Sequence, residues 1–357
     1  MLKQVVSLVA ALLTGATLSA GPATARDTAP GVPDTYRSSQ WGLDKIGAPA
    51  AWEVSDGTGA LIAVVDTGVD LDHPDLVDKL VVYPDADFVE PKGICTGRPP
   101  RRTCVQDGPQ DRNGHGTHVA GIIGAAADNG IGIAGIARGA SLMPVRVLDR
   151  GGNGNTEEVG AGVRFAADKG ATVINLSLAF DPGPGEVNRI LGRMGPLYSA
   201  IDYAVDKGAV VVIAAGNASV PVCAEPSAHP RAICVGATDV RDLRTFYSNS
   251  DADPSQPFMV APGGDGLTCN GDIVSTYLRS AKGSACSPEA GFDFDSGTSM
   301  AAPHVSGTAG LLAATGLAGP DIFDCLLATA EDLGAPGWDS IYGAGRVDAD
   351  NALATCI

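Results

Sequence analysis

The chain has 357 residues, of which 45% are hydrophobic and 18% are charged, and this composition is typical of a folded globular protein. The formal net charge of −17 and the lack of a basic stripe in the sequence argue against a nucleic-acid partner, because phosphate backbones are bound by clustered lysine and arginine. The length permits one large domain or two ordinary ones.

The N-terminal stretch predicts a secretory signal peptide. Lys3 precedes an apolar segment at 5–18, and an A-x-A sequence ends at Ala25, where we expect cleavage. A membrane anchor is the alternative, but polar residues and a glycine at 14–19 leave too short an apolar core. We therefore expect a secreted chain without a membrane anchor. We assign 1–25 to the signal peptide, 26–33 to a short N-terminal extension and 34–357 to one folded domain.

From about residue 41 onward, short apolar runs alternate with longer stretches that have a helical pattern. Near-continuous apolar strands separated by helices are typical of a parallel sheet that is buried on both faces. The sequence shows no long linker and no internal repeat, so we predict one α/β domain. The predicted strands cover 60–65, 141–148, 171–178, 209–215 and 231–238, and the predicted helices cover 115–127, 157–170, 197–208, a segment after Ser299, 319–330 and 348–355.

All eight cysteines lie outside the predicted signal peptide. An even number of cysteines in an exported chain favours disulfide bonds, and pairing between sequence neighbours is the simplest arrangement. A zinc site is the alternative, but the sequence contains no C-x-x-C pair. The expected pairs are Cys95–Cys104, Cys223–Cys234, Cys269–Cys286 and Cys325–Cys356.

Two predicted elements carry residues that are suited to acid–base chemistry. Asp66 follows a buried strand, where functional groups collect in open α/β sheets, although a carboxylate there can also be a simple cap. His115 begins a helix between Gly114 and Gly116, which leaves its imidazole accessible as a general base. His118 faces the apolar side of that helix, so we interpret it as a packing residue. Its spacing from His115 and the lack of a glutamate disfavour the H-E-x-x-H zinc motif.

Asn217 and Ser299 complete the set of candidate catalytic residues. Asn217 follows a predicted strand, where it is either a turn residue or a donor to a developing oxyanion. Ser299 lies at a predicted helix start, where it either caps the helix or acts as a nucleophile. We place Pro303 in the first turn of this helix, where a missing N–H is tolerated. The joint occurrence of four such residues in one chain is far more specific than any one of them.

Five motifs together resemble the subtilisin family of serine proteases (peptidase family S8), and the similarity is closest to its thermitase-like branch. The similarity extends from about Asp34 to the C-terminal GAGRVDADNAL. It implies a subtilisin-like three-layer α/β fold with a mostly parallel, doubly wound central sheet. It also implies Asp66, His115 and Ser299 as the catalytic triad, in the order found in subtilisin, and Asn217 as oxyanion donor. The motifs are VVDTGVDLDHPDL, NGHGTHVAG, VINLSL, AAGN and SGTSMAAPHVSG.

The resemblance also implies how a peptide substrate binds. Two segments pair with an extended substrate by β-augmentation, and a third forms a wall of the S1 pocket. Relatives usually have glycine at the position of Ala179, which leaves the pocket width open. No matched pocket position carries an acid, so we expect a broad or apolar preference at P1 rather than one for paired basic residues. The implied substrate-binding residues are Gly152, Asn153, Gly154, Ser177, Leu178, Ala179, Ala214, Ala215 and Gly216.

Residues 126–133 (AADNGIGI) resemble the tight calcium loop of the family, and calcium prefers six to eight oxygen ligands. The alternative is a turn beside two surface acids. A second calcium site near 87–110 is conceivable, but a cysteine-bearing insert at 93–106 interrupts the match. The implied ligands of the first site are the side chains of Asp34, Asp75 and Asn129 and the carbonyl oxygens of Ala126, Ile131 and Ile133.

These residues lead us to expect a secreted, monomeric serine endopeptidase that acts on polypeptides and is stabilised by Ca²⁺. A first alternative is a processing protease dedicated to a single partner, similar to the mycosins of secretion systems, although mycosins generally end in a membrane anchor. A second alternative is a catalytically inactive, calcium-stabilised binding protein on the same fold. Labelling by a fluorophosphonate separates the last reading from the others, because only an activated serine reacts.

Overall fold

Six parallel strands form the centre of the protein. The structure is a computed structural model that describes residues 31–89, 94–96, 103–105, 108–180 and 194–357. The predicted signal peptide and most of the predicted extension lie outside the described residues. The strands are β1 (Leu61–Asp66), β2 (Ile94–Thr96), β3 (Thr103–Val105), β4 (Ser141–Arg146), β5 (Val173–Leu176), β6 (Val210–Ala214), β7 (Ile233–Thr238), β8 (Phe258–Pro262), β9 (Ile273–Thr276) and β10 (Phe292–Asp295).

The central sheet has the strand order β4-β1-β5-β6-β7-β8, and every neighbouring pair is parallel. The remaining strands form two antiparallel hairpins, β2 with β3 and β9 with β10. Because all six central strands are parallel, their carboxyl ends lie along one edge of the sheet. Loops that follow these ends are the place where open α/β sheets carry their functional groups.

Helices cover both faces of the sheet. Side chains alternate along β1, so Ile62 and Val64 belong to one core while Ala63 and Val65 belong to the other. Residues of α1, α2, α3, α6, α7 and α8 pack in the first core, and residues of α4 and α5 pack in the second. The helices are α1 (Trp41–Lys45), α2 (Ala48–Ala51), α3 (His115–Gly124), α4 (Thr156–Asp168), α5 (Gly195–Asp206), α6 (Thr298–Ala313), α7 (Gly319–Ala328) and α8 (Ala349–Cys356).

The predicted strands and helices are all present, with ends that differ by a few residues, and the expected α/β fold class is confirmed. The structure adds β8 and the β9–β10 hairpin, which lie in a stretch that the sequence presents only as rich in turns. These strands are only four or five residues long and are flanked by glycine or proline, so local periodicity did not separate them from loops.

Three of the four expected cysteine pairs form disulfide bonds, Cys223–Cys234, Cys269–Cys286 and Cys325–Cys356. The backbones of Cys95 and Cys104 lie directly opposite each other in the β2–β3 hairpin. Their side chains lie outside the described part of the chain, so this pairing stays a prediction.

Candidate active site

The four candidate catalytic residues meet at the carboxyl edge of the sheet. Asp66 is the last residue of β1, and Asn217 lies three residues beyond the end of β6. His115 is the first residue of α3, and Ser299 is the second residue of α6. Two strand ends and two helix starts therefore supply the four side chains.

Asp66 and His115 are joined by a hydrogen bond. His115 Nδ1 lies 2.8 Å from Asp66 Oδ1 and 3.0 Å from Asp66 Oδ2. The Asp66 side chain is 0% exposed, whereas that of His115 is 26% exposed. Because Asp66 accepts a hydrogen bond from Nδ1–H, Nε2 of the neutral imidazole is unprotonated and can accept a proton.

Charge around His115 favours its protonated form. Burial by itself lowers the pKa of His115, but the charge and the hydrogen bond of Asp66 outweigh burial and raise the pKa above its usual value. Asp295 and Asp111 add smaller contributions in the same direction. His118 is buried in the following turn, and its Nε2 lies 3.2 Å from the carbonyl oxygen of Asp293. This contact agrees with the packing role expected for His118.

Asp111 holds the start of α3, and the sequence analysis missed it. Its Oδ1 accepts hydrogen bonds from the backbone N–H groups of Asn113 and Gly114, at 2.8 and 3.1 Å, and from the Thr67 hydroxyl at 2.9 Å. Its Oδ2 accepts two more from Thr117, one from the backbone N–H and one from the hydroxyl. An aspartate just before a helix is a recognised capping signal, so the pattern D-x-x-G-H could have indicated this role.

Two glycines allow His115 to approach Asp66. Gly114 has a φ of 113°, a conformation that residues with a side chain rarely adopt. A Cβ atom on Gly116 would collide with the carbonyl oxygen of Gly68 and would lie 3.1 Å from the Asp66 side chain. The G-H-G sequence is therefore required by the close contact between α3 and the end of β1.

Ser299 and Ser177 are linked in both directions. The hydroxyl of Ser299 donates to the carbonyl oxygen of Ser177 at 3.2 Å, and the hydroxyl of Ser177 donates to the carbonyl oxygen of Ser299 at 2.8 Å. The second bond explains how α6 accommodates Pro303. The sequence analysis placed this proline in the first turn of the helix, and that prediction was wrong. Pro303 is the sixth residue of α6, and as a proline it cannot donate to the carbonyl of Ser299 four residues earlier. That carbonyl oxygen is instead satisfied by Ser177.

Thr298 determines the orientation of the Asn217 amide. The backbone N–H and the hydroxyl of Thr298 both lie 3.0 Å from Asn217 Oδ1. A backbone N–H can only donate, so the atom that faces it must be the amide oxygen. Nδ2 of Asn217 has no hydrogen-bond partner in the part of the chain that the structure describes. The backbone N–H of Ser299 also has no partner within the described residues, as expected in the first turn of a helix. Two donors therefore remain unused next to the Ser299 hydroxyl.

Two adjoining cavities are lined by eight of the nine predicted substrate-binding residues. The first, of about 410 Å³, is lined by His115 and Ser299 together with Gly152, Asn153, Gly154, Ser177, Leu178 and Ala179. The second, of about 200 Å³, is named here the S1 cavity. It is lined by Leu178, Ala179, Ala214, Gly216, Asn217, Ala218, Ala224, Asn249, Thr298 and Ser299. No charged side chain is among these lining residues.

Ala215 differs from the prediction. It lines neither cavity, and its side chain packs with Cys223, Cys234 and Phe258 in a small core behind the S1 cavity. Side chains at the end of a strand point alternately to opposite sides, so Ala214 faces the cavity while Ala215 faces away. Gly216 also lines the cavity but has no side chain.

The predicted calcium residues also come together. Asp75 is fully buried and Asp34 is nearly so, and each carboxylate oxygen accepts one hydrogen bond from residues 128–133. No lysine or arginine pairs with either carboxylate in the described part of the chain. Burial raises the pKa of Asp75 to about 7, and the nearby charge of Asp34 acts in the same direction. Two adjacent buried carboxylates without a cationic side chain fit the oxygen-rich set that calcium prefers.

The carbonyl donors expected for calcium fit as well. Within the described residues, the carbonyl oxygens of Ala126, Ile131 and Ile133 accept no hydrogen bond. Asn129 joins the two halves of the site, since its backbone N–H donates to Asp34 and its side-chain amide donates to Asp75. These contacts involve fewer than three histidine, cysteine, aspartate or glutamate side chains, and no larger group of that kind occurs in the described ranges.

At the conceivable second calcium site, the buried carboxylate is already paired with an arginine. Asp87 is buried and lies 3.1 Å from Nη1 of Arg146, which is also buried. The guanidinium therefore compensates the carboxylate that a second ion would need. Glu90 and Asp107, the other acids of that region, lie outside the described residues.

Comparison with known proteins identifies the family. A profile of the subtilase family (peptidase S8) matches residues 57–345. The chain belongs to the subtilase family. This subtilase is 41% identical to thermitase of Thermoactinomyces vulgaris over 321 residues, which cover 90% of this chain and 98% of thermitase. It is 34% identical to subtilisin Savinase of Lederbergia lenta over 319 residues, which cover 88% of this chain and 99% of Savinase.

A solved structure shows the same fold. The subtilase superposes on a protease from Pseudoalteromonas arctica PAMC 21717 with a TM-score of 0.74 and 28% sequence identity, over 92% of this chain and 100% of the other. Taken with the family match, these relatives make the subtilase a subtilisin-like serine endopeptidase. Among its described residues, no helix has the length and apolar character that crossing a membrane requires.

Proposed function

We propose that this endopeptidase cleaves peptide bonds with Ser299 as nucleophile, His115 as general base and Asp66 as the group that orients and charges the base. The observation that carries the proposal is the hydrogen bond between buried Asp66 and His115, beside a cavity that His115 lines together with Ser299. A carboxylate that holds Nδ1 leaves Nε2 to accept the serine proton, which is the arrangement that activates a neutral alcohol.

The reaction follows from these positions. As the Ser299 oxygen attacks the substrate carbonyl, its proton moves to Nε2 of His115, and Asp66 stabilises the imidazolium. The imidazolium then protonates the leaving amine, which frees the first product and leaves an acyl group on Ser299. Water, deprotonated by the same imidazole, hydrolyses this ester and restores the free serine.

Asn217 and the backbone N–H of Ser299 are proposed to bind the oxyanion. Support comes from the two unused donors next to the nucleophile and from the fixed amide orientation. The N-terminus of α6 adds a partial positive charge at the same position. Pre-oriented donors of this kind stabilise the transition state without reorganisation during the reaction.

The proposed substrate is a polypeptide that binds in extended form. Within the described residues, the backbone groups of Gly154, Leu178 and Ala179 make no hydrogen bonds, so a peptide strand can pair with them. The uncharged lining of the S1 cavity supports a broad or apolar preference at P1. We keep Gly152, Asn153 and Ser177 in the proposed binding set, and we leave Ala215 out of it.

Calcium is proposed as a structural ion. Asp34, Asp75 and Asn129, with the carbonyl groups of 126, 131 and 133, would hold it, and it would supply the positive charge that these buried carboxylates lack. We further propose a monomer that is secreted after cleavage at Ala25 and comprises the extension 26–33 and the peptidase domain 34–357. The three disulfides are compatible with an oxidising compartment.

A fluorophosphonate probe tests the proposed function. We expect the purified protein to be labelled at Ser299, and we expect the Ser299→Ala variant to be neither labelled nor active on casein. An unlabelled wild-type protein would contradict the proposal and favour an inactive binding protein. Products from a mixed peptide pool then give the specificity, because cleavage of one peptide or none would indicate a dedicated processing role.

A further inference from the structure

An exposed loop borders the S1 cavity. Residues 217–222, which follow β6, are all exposed, and Ser219 has a positive φ of 58° although it is not a glycine. The first two residues of this loop, Asn217 and Ala218, line the S1 cavity. So exposed a segment buries little apolar surface of its own, and its position depends on the contacts that anchor it, which include backbone hydrogen bonds of Ser219 with Tyr247 and of Val220 with Ser250.

The end of the loop is anchored by a disulfide bond. Cys223 follows the exposed residues and is bonded to Cys234, only 11 residues further along the chain. Cys234 is the second residue of β7, which pairs with β6 on one side and β8 on the other. Both cysteines are buried, at 2% and 0% exposure. The disulfide therefore ties the end of the loop to a strand inside the central sheet, one position from its edge.

Ala224, the residue after the disulfide, forms one side of the S1 cavity. Its backbone N–H donates to the carbonyl oxygen of Ala215 at 2.8 Å. Its Cβ lies 2.9 Å from the position that a Cβ on Gly216 would occupy, so the two walls of the cavity are in close contact here. Any displacement of Cys223 moves Ala224 directly.

The start of the loop is held by hydrogen bonds and not by a covalent bond. Asn249, which is fully buried, accepts hydrogen bonds from the backbone N–H groups of Ala218 and Val220 at 3.0 and 3.2 Å. At the other end, the only non-covalent backbone anchor of Cys223 within the described residues is a 2.8 Å hydrogen bond to Asp251. Hydrogen bonds at an exposed loop exchange with water at a small net cost, whereas the disulfide does not.

We propose that the Cys223–Cys234 disulfide is a positioning element of the S1 cavity and thereby sets selectivity for the P1 residue. The proposal rests on the proposed function, because it assumes that substrates place P1 in this cavity. Without the covalent bond, the loop end and Ala224 move relative to Ala214 and Gly216. The cavity then no longer matches one side-chain size, while the triad, which lies on other elements, keeps its geometry.

The test compares two disulfide deletions. The variant C223A/C234A removes the proposed positioning bond, and C325A/C356A removes the bond between α7 and α8, neither of which lines the S1 cavity. The control bond spans 31 residues, so its loss is expected to destabilise the protein at least as much. For each variant we measure kcat/KM on two peptides that differ only in having phenylalanine or alanine at P1, well below the Tm.

We expect the phenylalanine-to-alanine ratio of kcat/KM to fall about tenfold in C223A/C234A, a change typical of a misfitted apolar pocket, and to stay unchanged in the control. The rate of fluorophosphonate labelling at Ser299 should remain near that of the wild type in both variants. An unchanged phenylalanine-to-alanine ratio of kcat/KM in C223A/C234A would overturn the proposal. A fall in its labelling rate as large as the fall in this ratio would also overturn it. If C223A/C234A is not recovered folded, C223V/C234A, which restores apolar volume, replaces it. A wild-type protein that cleaves neither peptide would instead refute the proposed function.

Discussion

The orientation of the Asn217 amide is set by a neighbouring residue, Thr298. Thr298 offers two donors to the amide oxygen, so the amide group can only be held with Nδ2 pointing away. Thr298 is itself fully buried and also accepts a hydrogen bond from the backbone of Gly216 at 3.1 Å. The orientation of the Asn217 amide is thus fixed by its neighbours before any substrate binds.

For Asn217→Ala, we expect kcat to fall while KM changes little, because the lost donor acts on the oxyanion and not on the bound peptide. In subtilisin, loss of one such donor lowers kcat by about 10²–10³, and we expect a similar order here. Steady-state kinetics on one fluorogenic peptide provide the measurement. Asn270→Ala is the control, since it removes an exposed amide that lines neither cavity. A kcat within threefold of the wild type in Asn217→Ala would contradict the oxyanion role.

Asp295 allows the charge near His115 to be tested. The proposed mechanism requires neutral His115, so we expect kcat/KM to decrease as the pH falls through the pKa of this imidazole. Asp295 is exposed and raises the pKa of His115, so Asp295→Asn should lower it and preserve activity to a lower pH. We expect the acidic limb of the pH profile to move by a few tenths of a pH unit, and less at high salt. A limb that stays in place, or moves to higher pH, would show that Asp295 does not act on His115.

At the scale of an element, the first turn of α3 depends on one carboxylate. Asp111 receives donors from the turn before the helix, from the helix itself and from Thr67 after β1. It therefore connects the element that carries His115 to the element that carries Asp66. A similar connection joins α6 to the segment after β5, through Ser177 and the carbonyl oxygen that Pro303 leaves free.

Asp111→Asn should lower both stability and kcat. An amide has one acceptor oxygen, so its NH₂ group would face donors that the carboxylate now satisfies. We expect a loss of about 2 kcal/mol in the free energy of unfolding and a fall of about 10–100-fold in kcat as His115 shifts. Urea unfolding and peptide kinetics measure the two effects, and exposed Asp85→Asn is the matched control. An unchanged kcat in a destabilised Asp111→Asn protein would assign Asp111 a purely structural role.

At the scale of the whole molecule, calcium is expected to link the N-terminal segment to the body of the protein. Asp34 lies near the beginning of the domain, Asp75 lies after β1, and Asn129 lies after α3. An ion present at a thousand times its Kd adds about 4 kcal/mol to the free energy of unfolding. Such a change corresponds to about 10 °C in Tm for a large domain.

We therefore expect EDTA to lower the Tm by about 10 °C, measured in the Ser299→Ala background so that self-digestion does not contribute. Asp75→Asn in the same background should lose most of this calcium-dependent shift. Its Tm in EDTA should not be lower than that of the parent, because the substitution removes a buried charge. A shift of the same size in Asp75→Asn and the parent would place calcium elsewhere.

The sequence by itself determined the class of the fold and the chemical types at the site. Apolar runs that alternate with helices were sufficient for a parallel sheet, and the five motifs, four of which contain Asp66, His115, Asn217 and Ser299, were sufficient for the family. Both signals are local, because a buried strand and a motif can each be recognised from a short run of consecutive residues. The sequence could not separate β8 and the β9–β10 hairpin from loops, because each strand is only four or five residues long and lies in a stretch rich in turn-forming residues.

Tertiary structure decided which groups touch. The five donors on Asp111, the reciprocal bonds of Ser177 and Ser299, and the direction of Ala215 all depend on the path of the backbone in space. The same holds for the Cys223–Cys234 bond, whose pairing is expected from the sequence but whose position beside the S1 cavity is not. The sequence gives the type of residue at each position, whereas the distances between side chains are decided only when strands and helices pack.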